Sequence, residues 1–213
     1  LQAAQVIQFV KKPSLAEVLA LRVAHLTSYQ NAAYAAEYRA FVEKVQAAEA
    51  RLGRSTQLTE AVARYLFKLM AYKDEYEVAR LHTDPAFTDK IAAMFEGDYR
   101  IVHHLAPPPW ARTNESGEAI KQSFGPWVRS AFGVLARMKG LRGSWLDVFG
   151  RSAERRTERA LIQEYRACIE ELLAGLTPER LALATEIARI PEGIRGYGHV
   201  KEGHLRAART QWD

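Results

Sequence analysis

The residues that most restrict what this chain can fold into lie between Tyr65 and Ala79. Tyr65, Leu69, Tyr72, Tyr76 and Ala79 recur at spacings of four, three, four and three, the period of one face of an α-helix. A stripe carrying three tyrosines and a leucine is too apolar to leave in water, so other helices must cover it. Lys73, Glu77 and Arg80 fall beside it at spacings that let charges meet along one side of a helix. The pattern predicts a docked helix from about Thr59, its expected cap, to about His82.

Helix signals continue on both sides. Ser14-Leu15-Ala16-Glu17 is a capping box, in which hydroxyl and carboxylate satisfy amides at a helix start. Helical periodicity then runs from about Leu15 to Leu52 and stops at Gly53, with a break expected near Ser28 to Asn31, where helix propensity is weaker. Thr83-Asp84-Pro85 starts a further helix toward Gly97, since the N–H that proline lacks is not needed in a first turn. After Gly97 the character changes. Asp98 to Leu105 is aromatic and β-branched and reads as a strand. Pro107-Pro108-Pro109 ends it, Asn114-Glu115-Ser116-Gly117 supplies turn chemistry, and Ala119 to Phe124 returns as a second strand. So small a ribbon needs helices to pack on.

Gly125-Pro126 opens another helix, with Trp127, Phe132, Leu135 and Met138 as expected core contacts. Gly140-Leu141-Arg142-Gly143 interrupts it, and Trp145 to Gly150 forms a short apolar connection. A long helix follows from about Ser152 to Ala174, closed by Gly175 in the left-handed conformation. Thr177-Pro178-Glu179 restarts the helix to about Ile190, and a glycine-rich loop, Pro191 to Lys201, leads into a last helix ending near Trp212. The expected fold is mostly α (α+β): one multi-helix domain over 14–213 with a small antiparallel two-stranded β-ribbon near 98–124. Residues 1–13, ending at Lys11-Lys12-Pro13, read as a linker or extended lead-in. The numbering opens at Leu1 rather than at a methionine, which suggests a piece of a longer polypeptide.

Composition narrows the function classes. At 48% hydrophobic and 26% charged residues the chain can build a core and is not a disordered segment. No apolar run is long enough to cross a bilayer, and there is no secretory signal. Cys168 is the only cysteine, which excludes an intrachain disulfide, a four-cysteine zinc site and a full set of cluster ligands. A reducing, cytoplasmic setting follows as the natural expectation. The formal charge is +5, and between Arg129 and Arg159 eight basic residues stand against three acids. Such a stretch suits an anionic partner, whether an acidic protein, a phosphate-bearing ligand such as coenzyme A, or nucleic acid. A solvated helix face with Glu154 and Glu158 pairing to arginines is the simpler account of it. Nucleic-acid binding has no recognition motif behind it and is disfavoured.

Residues that carry chemistry elsewhere have plainer roles here. His103 and His104 are adjacent, so on a strand they face opposite sides and do not share an ion. His199 and His204 are five apart, not the four that stacks two imidazoles on one helix face. Asp74, Glu75 and Glu77 can do acid–base work only with a pocket and a shifted pKa, and a charged ladder of Lys73, Glu77 and Arg80 is the simpler account. Gly193, Gly196 and Gly198, with Arg195, His199 and Lys201 nearby, can present amides and cations to an anion, or serve as a plain interhelix loop.

Taken as words in order, the chain resembles one known family. The likeness rests on Met70-Ala71-Tyr72-Lys73-Asp74-Glu75-Tyr76-Glu77-Val78-Ala79-Arg80-Leu81, Asp84-Pro85-Ala86-Phe87 and Phe95-Glu96-Gly97-Asp98-Tyr99. Phe124-Gly125-Pro126-Trp127, Lys139-Gly140-Leu141-Arg142-Gly143, Ala153-Glu154-Arg155-Arg156 and the tail Glu192 to Lys201 continue it. It is similar to the C-terminal domain of fused bacterial indolepyruvate ferredoxin oxidoreductases, of the 2-oxoacid:ferredoxin oxidoreductase family. The resemblance implies an oligomeric parent enzyme that oxidatively decarboxylates aryl 2-oxo acids with thiamine diphosphate, magnesium, iron–sulfur clusters and coenzyme A, passing electrons to ferredoxin. The thiamine motif, Gly-Asp-Gly followed by asparagine, is not in this chain, which has Gly97-Asp98-Tyr99. The chain is therefore expected to be an inactive accessory domain that braces the catalytic domains of the same polypeptide. Lys73, Asp74, Glu77, Arg80, Arg142, Arg195, His199 and Lys201 are its candidate docking or ligand contacts.

Overall fold

Helices begin where the sequence offers an oxygen to free backbone amides. The Ser14 hydroxyl accepts from the amide of Glu17, whose carboxylate accepts in turn from the Ser14 amide at 2.7 Å, and α1 runs from Leu15 to Tyr29. Asn31 restarts the chain by accepting from the Tyr34 amide, and α2 spans Ala32–Ala50. The break therefore falls within the expected window. The computed structural model describes residues 13–97, 100–105, 120, 122–196 and 198–212, with the backbone alone described for 198–202. Residues 1–12, the start of the first expected strand at Asp98 and Tyr99, and the ribbon tip at 106–119 lie outside the described residues.

The long helix expected over Thr59–His82 is two helices. α3 spans Gln57–Met70 and α4 spans Glu75–Thr83, with an irregular connection between them. Thr59 is not the cap. It is fully buried inside α3, and the free amides of Leu58 and Thr59 donate instead to the Glu49 carboxylate of α2, at 3.1 and 2.8 Å. The break after Met70 has a tertiary cause. Carbonyls freed there need donors, and Tyr34 and Tyr29 supply them, donating their hydroxyls to Met70 at 3.0 Å and Tyr72 at 2.9 Å. Asp74 then caps α4 by accepting from the Glu77 amide. The whole stripe from Tyr65 to Ala79 is buried as expected, although two helices and a connection carry it.

Asp84 ends α4 and caps α5, Pro85–Ala92, with proline in the first turn. That helix stops short of Gly97, closing in a turn at Ala93 and Met94. β1 (His103–Leu105) and β2 (Gln122–Phe124) form the antiparallel ribbon, with His103 opposite Phe124 and Leu105 opposite Gln122. α6 (Val128–Arg137) packs on α4. Trp127 and Met138 are not core contacts: only the face carrying Val128 and Phe132 meets α4, which leaves Trp127 64% exposed and Met138 37% exposed. α7 (Ala153–Ala174) is capped by Ser152. Gly175 ends it with φ at −107°, so the left-handed closure is not used. A short 3-10 turn at Pro178–Arg180 leads into α8 (Leu181–Arg189), a second such turn at Ile190–Gly193 follows, and α9 spans Gly198–Trp212.

Two apolar clusters result. The larger joins α1, α2, α3, α7, α8 and α9 through Leu26, Tyr38, Val62, Leu66, Tyr165 and Leu205, among others. Fully burying a leucine or valine here contributes about 1.5–3 kcal/mol, and buried tyrosines keep their hydroxyls satisfied: Tyr38 donates to the Ala63 carbonyl and Tyr165 to that of Ala188. The smaller cluster holds Ala79, Val128 and Phe132, with Leu105 and Phe124 of the ribbon against them. Among the described residues no helix is long and apolar enough to cross a membrane.

Candidate functional site

Asp74 and Arg142, 68 positions apart in sequence, meet where the two clusters adjoin. Arg142 donates to both carboxylate oxygens of Asp74, from Nε at 2.5 Å and from Nη2 at 2.8 Å, and from Nη1 to the Tyr29 carbonyl at 2.5 Å. Its guanidinium lies 3.7 Å from the Tyr29 ring centroid and 5.4 Å from that of Tyr76, so the charge has two aromatic neighbours. Both partners are nearly withdrawn from solvent, Asp74 at 3% and Arg142 at 6%. The Asp74 carboxylate thus caps α4 and closes the ion pair, and the Arg142 guanidinium ties the Gly140–Gly143 segment to α1.

A second buried carboxylate extends this knot. Asp147 accepts from the Tyr76 hydroxyl and from the amides of Gly143 and Gly150, and Arg159 stands 3.6 Å away. Gly150 permits it, because a Cβ there would overlap the Asp147 carboxylate and come within 2.7 Å of Arg159 Nη1. Burial, with the nearby charges of Asp147 and Asp74, raises the Tyr76 phenol above its ordinary pKa. Burial, with Asp74 next, does the same to Tyr29. Both phenols are neutral hydrogen-bond donors and not proton-transfer groups at physiological pH.

Glu77, 5% exposed, receives two 2.7 Å bonds from Arg80, while His25 of α1 approaches it at 3.8 Å. The charged ladder is therefore partial. Glu77 and Arg80 pair at helical spacing, but Lys73 precedes α4 and has no contact with Glu77. Asp74, Glu77, Arg80 and Arg142 are joined to internal partners. Lys73 is exposed, and among the described residues it makes no hydrogen bond or ion pair. Arg195 is also exposed, donating from Nε to the Glu192 carbonyl at 3.2 Å. Lys73 and Arg195 line one cavity of about 490 Å³. The side chains of His199 and Lys201 lie outside the described residues.

Half of the basic residues of Arg129–Arg159 are drawn into internal contacts, while Arg129, Arg137, Arg151 and Arg156 stay exposed. Besides Arg142 and Arg159, Arg155 bridges Glu75 at 3.2 Å and Glu158 at 2.6 Å. Lys139 donates to the carbonyls of Thr27 and Ser28 at the end of α1, where a cation also suits the helix dipole. Sequence reasoning did not single out Tyr29, Glu49 or Asp147, and it placed Glu158 as an arginine partner on a solvated face, where the pair with Arg155 forms but the carboxylate is buried. A weak signal existed for Tyr29, which falls where the first helical period fails, but nothing local marks the three carboxylates as buried. His103 and His104 face opposite sides of β1 as expected, one buried and one exposed. Among the described residues no three His, Cys, Asp or Glu side chains come together as a metal site.

A family model described as a family of unknown function, DUF6537, matches residues 15–213. No curated protein and no solved structure matches the chain.

Proposed function

The chain belongs to the DUF6537 family, and from that premise we propose that it is a non-catalytic accessory domain of an indolepyruvate ferredoxin oxidoreductase. The observation that carries this reading is the use made of the signature's ionisable groups. Asp74 with Arg142 ties the start of α4 to the segment after α6, and Glu77 with Arg80 is paired within α4. An acid or base engaged in a buried bidentate pair is not free to exchange protons with a substrate. The words that carry the resemblance serve as joints of a brace. Its docking surface is the exposed connection around Lys73 together with the Glu192–Gly196 loop, and its partners are the catalytic domains of the same cytoplasmic polypeptide.

The parent's cofactors sit in those other domains. Cluster ligation needs several thiolates, and Cys168 is a single half-buried thiol whose pKa burial raises. Thiamine diphosphate, magnesium and coenzyme A likewise act outside this chain, and ferredoxin receives electrons from the parent.

Deleting residues 14–213 from the full polypeptide tests the reading. The truncated enzyme is expected to lose oligomeric assembly, read by sedimentation, or to turn over indolepyruvate at least tenfold more slowly. Unchanged assembly and turnover would refute a bracing role, and turnover by the 213-residue chain alone would refute a non-catalytic one.

A further inference from the structure

Lys73 stands in the walls of two cavities, one rich in charged side chains and one mainly apolar. The first, about 490 Å³, also presents Lys68, Arg155 and Arg195, against Glu154 and Glu158. The second, about 550 Å³, is walled mainly by Leu105, Phe124, Trp127, Val128, Phe132 and Phe149. Both are of the size that holds small molecules. Arg155 lies in the walls of both as well, but it is engaged by Glu75 and Glu158. Asp74, at the edge of the apolar cavity, is neutralised by Arg142. Among the described residues Lys73 is thus a charge without an ion-pair or hydrogen-bond partner, and it lines both spaces.

Its position is fixed by its neighbours. The connection that carries it is held on one side by the Tyr29 and Tyr34 hydroxyls and on the other by the Asp74–Arg142 pair, so the backbone presenting the ammonium is preorganised. The apolar cavity has a matching sign of incompleteness, since Trp127 lines it yet is 64% exposed. A large aromatic surface left wet beside other apolar walls is a feature of binding surfaces.

We propose that the paired cavities bind an amphipathic monocarboxylate, its carboxylate on Lys73 with Arg195 beyond, and its apolar body against Trp127, Phe124 and Phe132. Burying the body displaces water from Trp127, while a charge-assisted bond to Lys73 fixes its direction. The site shares Lys73 and Arg195 with the docking surface proposed above, and its binding is measured on the 213-residue chain itself, apart from the domains that surface would meet.

Titration calorimetry with decanoate, with decanol as the uncharged control, tests the site. Decanoate is expected to bind one-to-one below the concentration at which it self-associates. Lys73→Met, at an exposed position, is expected to weaken decanoate at least tenfold and leave decanol unchanged. Trp127→Ala is expected to weaken both. Circular dichroism establishes that both variants remain folded. Decanoate binding that is absent, unsaturable, or indifferent to Lys73→Met overturns the proposal. So does a Trp127→Ala variant that binds both probes as the parent chain does.

Discussion

Asp74 joins three roles in one side chain: helix cap, ion-pair partner and neighbour of the irregular connection that displays Lys73. Taking two charges out of water is costly, and bidentate geometry with aromatic faces on the guanidinium offsets that cost without making the pair a large net source of stability. Removing one partner is different, because the other remains buried and uncompensated. Asp74→Ala is expected to lower the unfolding free energy by about 3–5 kcal/mol. Arg142→Met in the same background is expected to recover part of that loss, because no orphan charge then remains. A double-mutant cycle by urea denaturation measures the coupling. Additive single effects would mean that the pair is not a unit. The sequence marked both residues as candidates, but their identity as partners depends on a contact 68 positions long, which no local pattern encodes.

At the scale of elements, the clearest lesson is α3 and α4. Their shared apolar period was legible from Tyr65 to Ala79, because burial selects side chains at helical spacing even when the helix is interrupted and resumed. The interruption was not legible. It depends on hydroxyls from α1 and α2 reaching the carbonyls of Met70 and Tyr72, and on Asp74 preferring the cap to the interior. The start of α3 shows the same dependence, since its amides are met by Glu49 from α2 and not by its own threonine. Glu49 is 1% exposed, so Glu49→Ala leaves buried amides unsatisfied and is expected to cost about 1–3 kcal/mol. The effect reads as a lower urea midpoint with an unchanged slope, and Glu49→Gln is expected to retain part of the loss. A midpoint unmoved by Glu49→Ala would show that solvent caps α3 instead.

Across the whole molecule, the ribbon and α6 are fastened to α4 through a stack of rings. His82 lies parallel to Phe132 at 5.4 Å and edge-on to His103 at 5.0 Å, with its Nδ1 buried and, among the described residues, without a hydrogen-bond partner. Burial lowers the pKa of His82, helped by His103 and Lys73, and burial with Arg129 lowers that of His103. A histidine whose folded pKa is depressed binds fewer protons folded than unfolded, so stability rises with pH across that interval. It is intact above the unfolded value of about 6.5 and declines as pH falls through the lower folded values. The unfolding free energy is therefore expected to fall between pH 7 and pH 5. His82→Phe, which preserves the stack and removes one titrating group, is expected to flatten the slope. Equal slopes in both proteins would place the pH dependence elsewhere.

By itself the sequence determined the mostly helical class, the ribbon, the capping box at Ser14, the helix starts near Asp84 and Ser152, and the buried stripe. These follow from side-chain period and from oxygens a few residues away from the amides they satisfy. Tertiary structure decided where the stripe breaks, which acids and arginines pair, and that Trp127 faces outward. It also decided that Lys73 lines two cavities, one with Arg195 and the other with Trp127. Those outcomes turn on which distant group arrives to replace water, and local spacing carries no record of that.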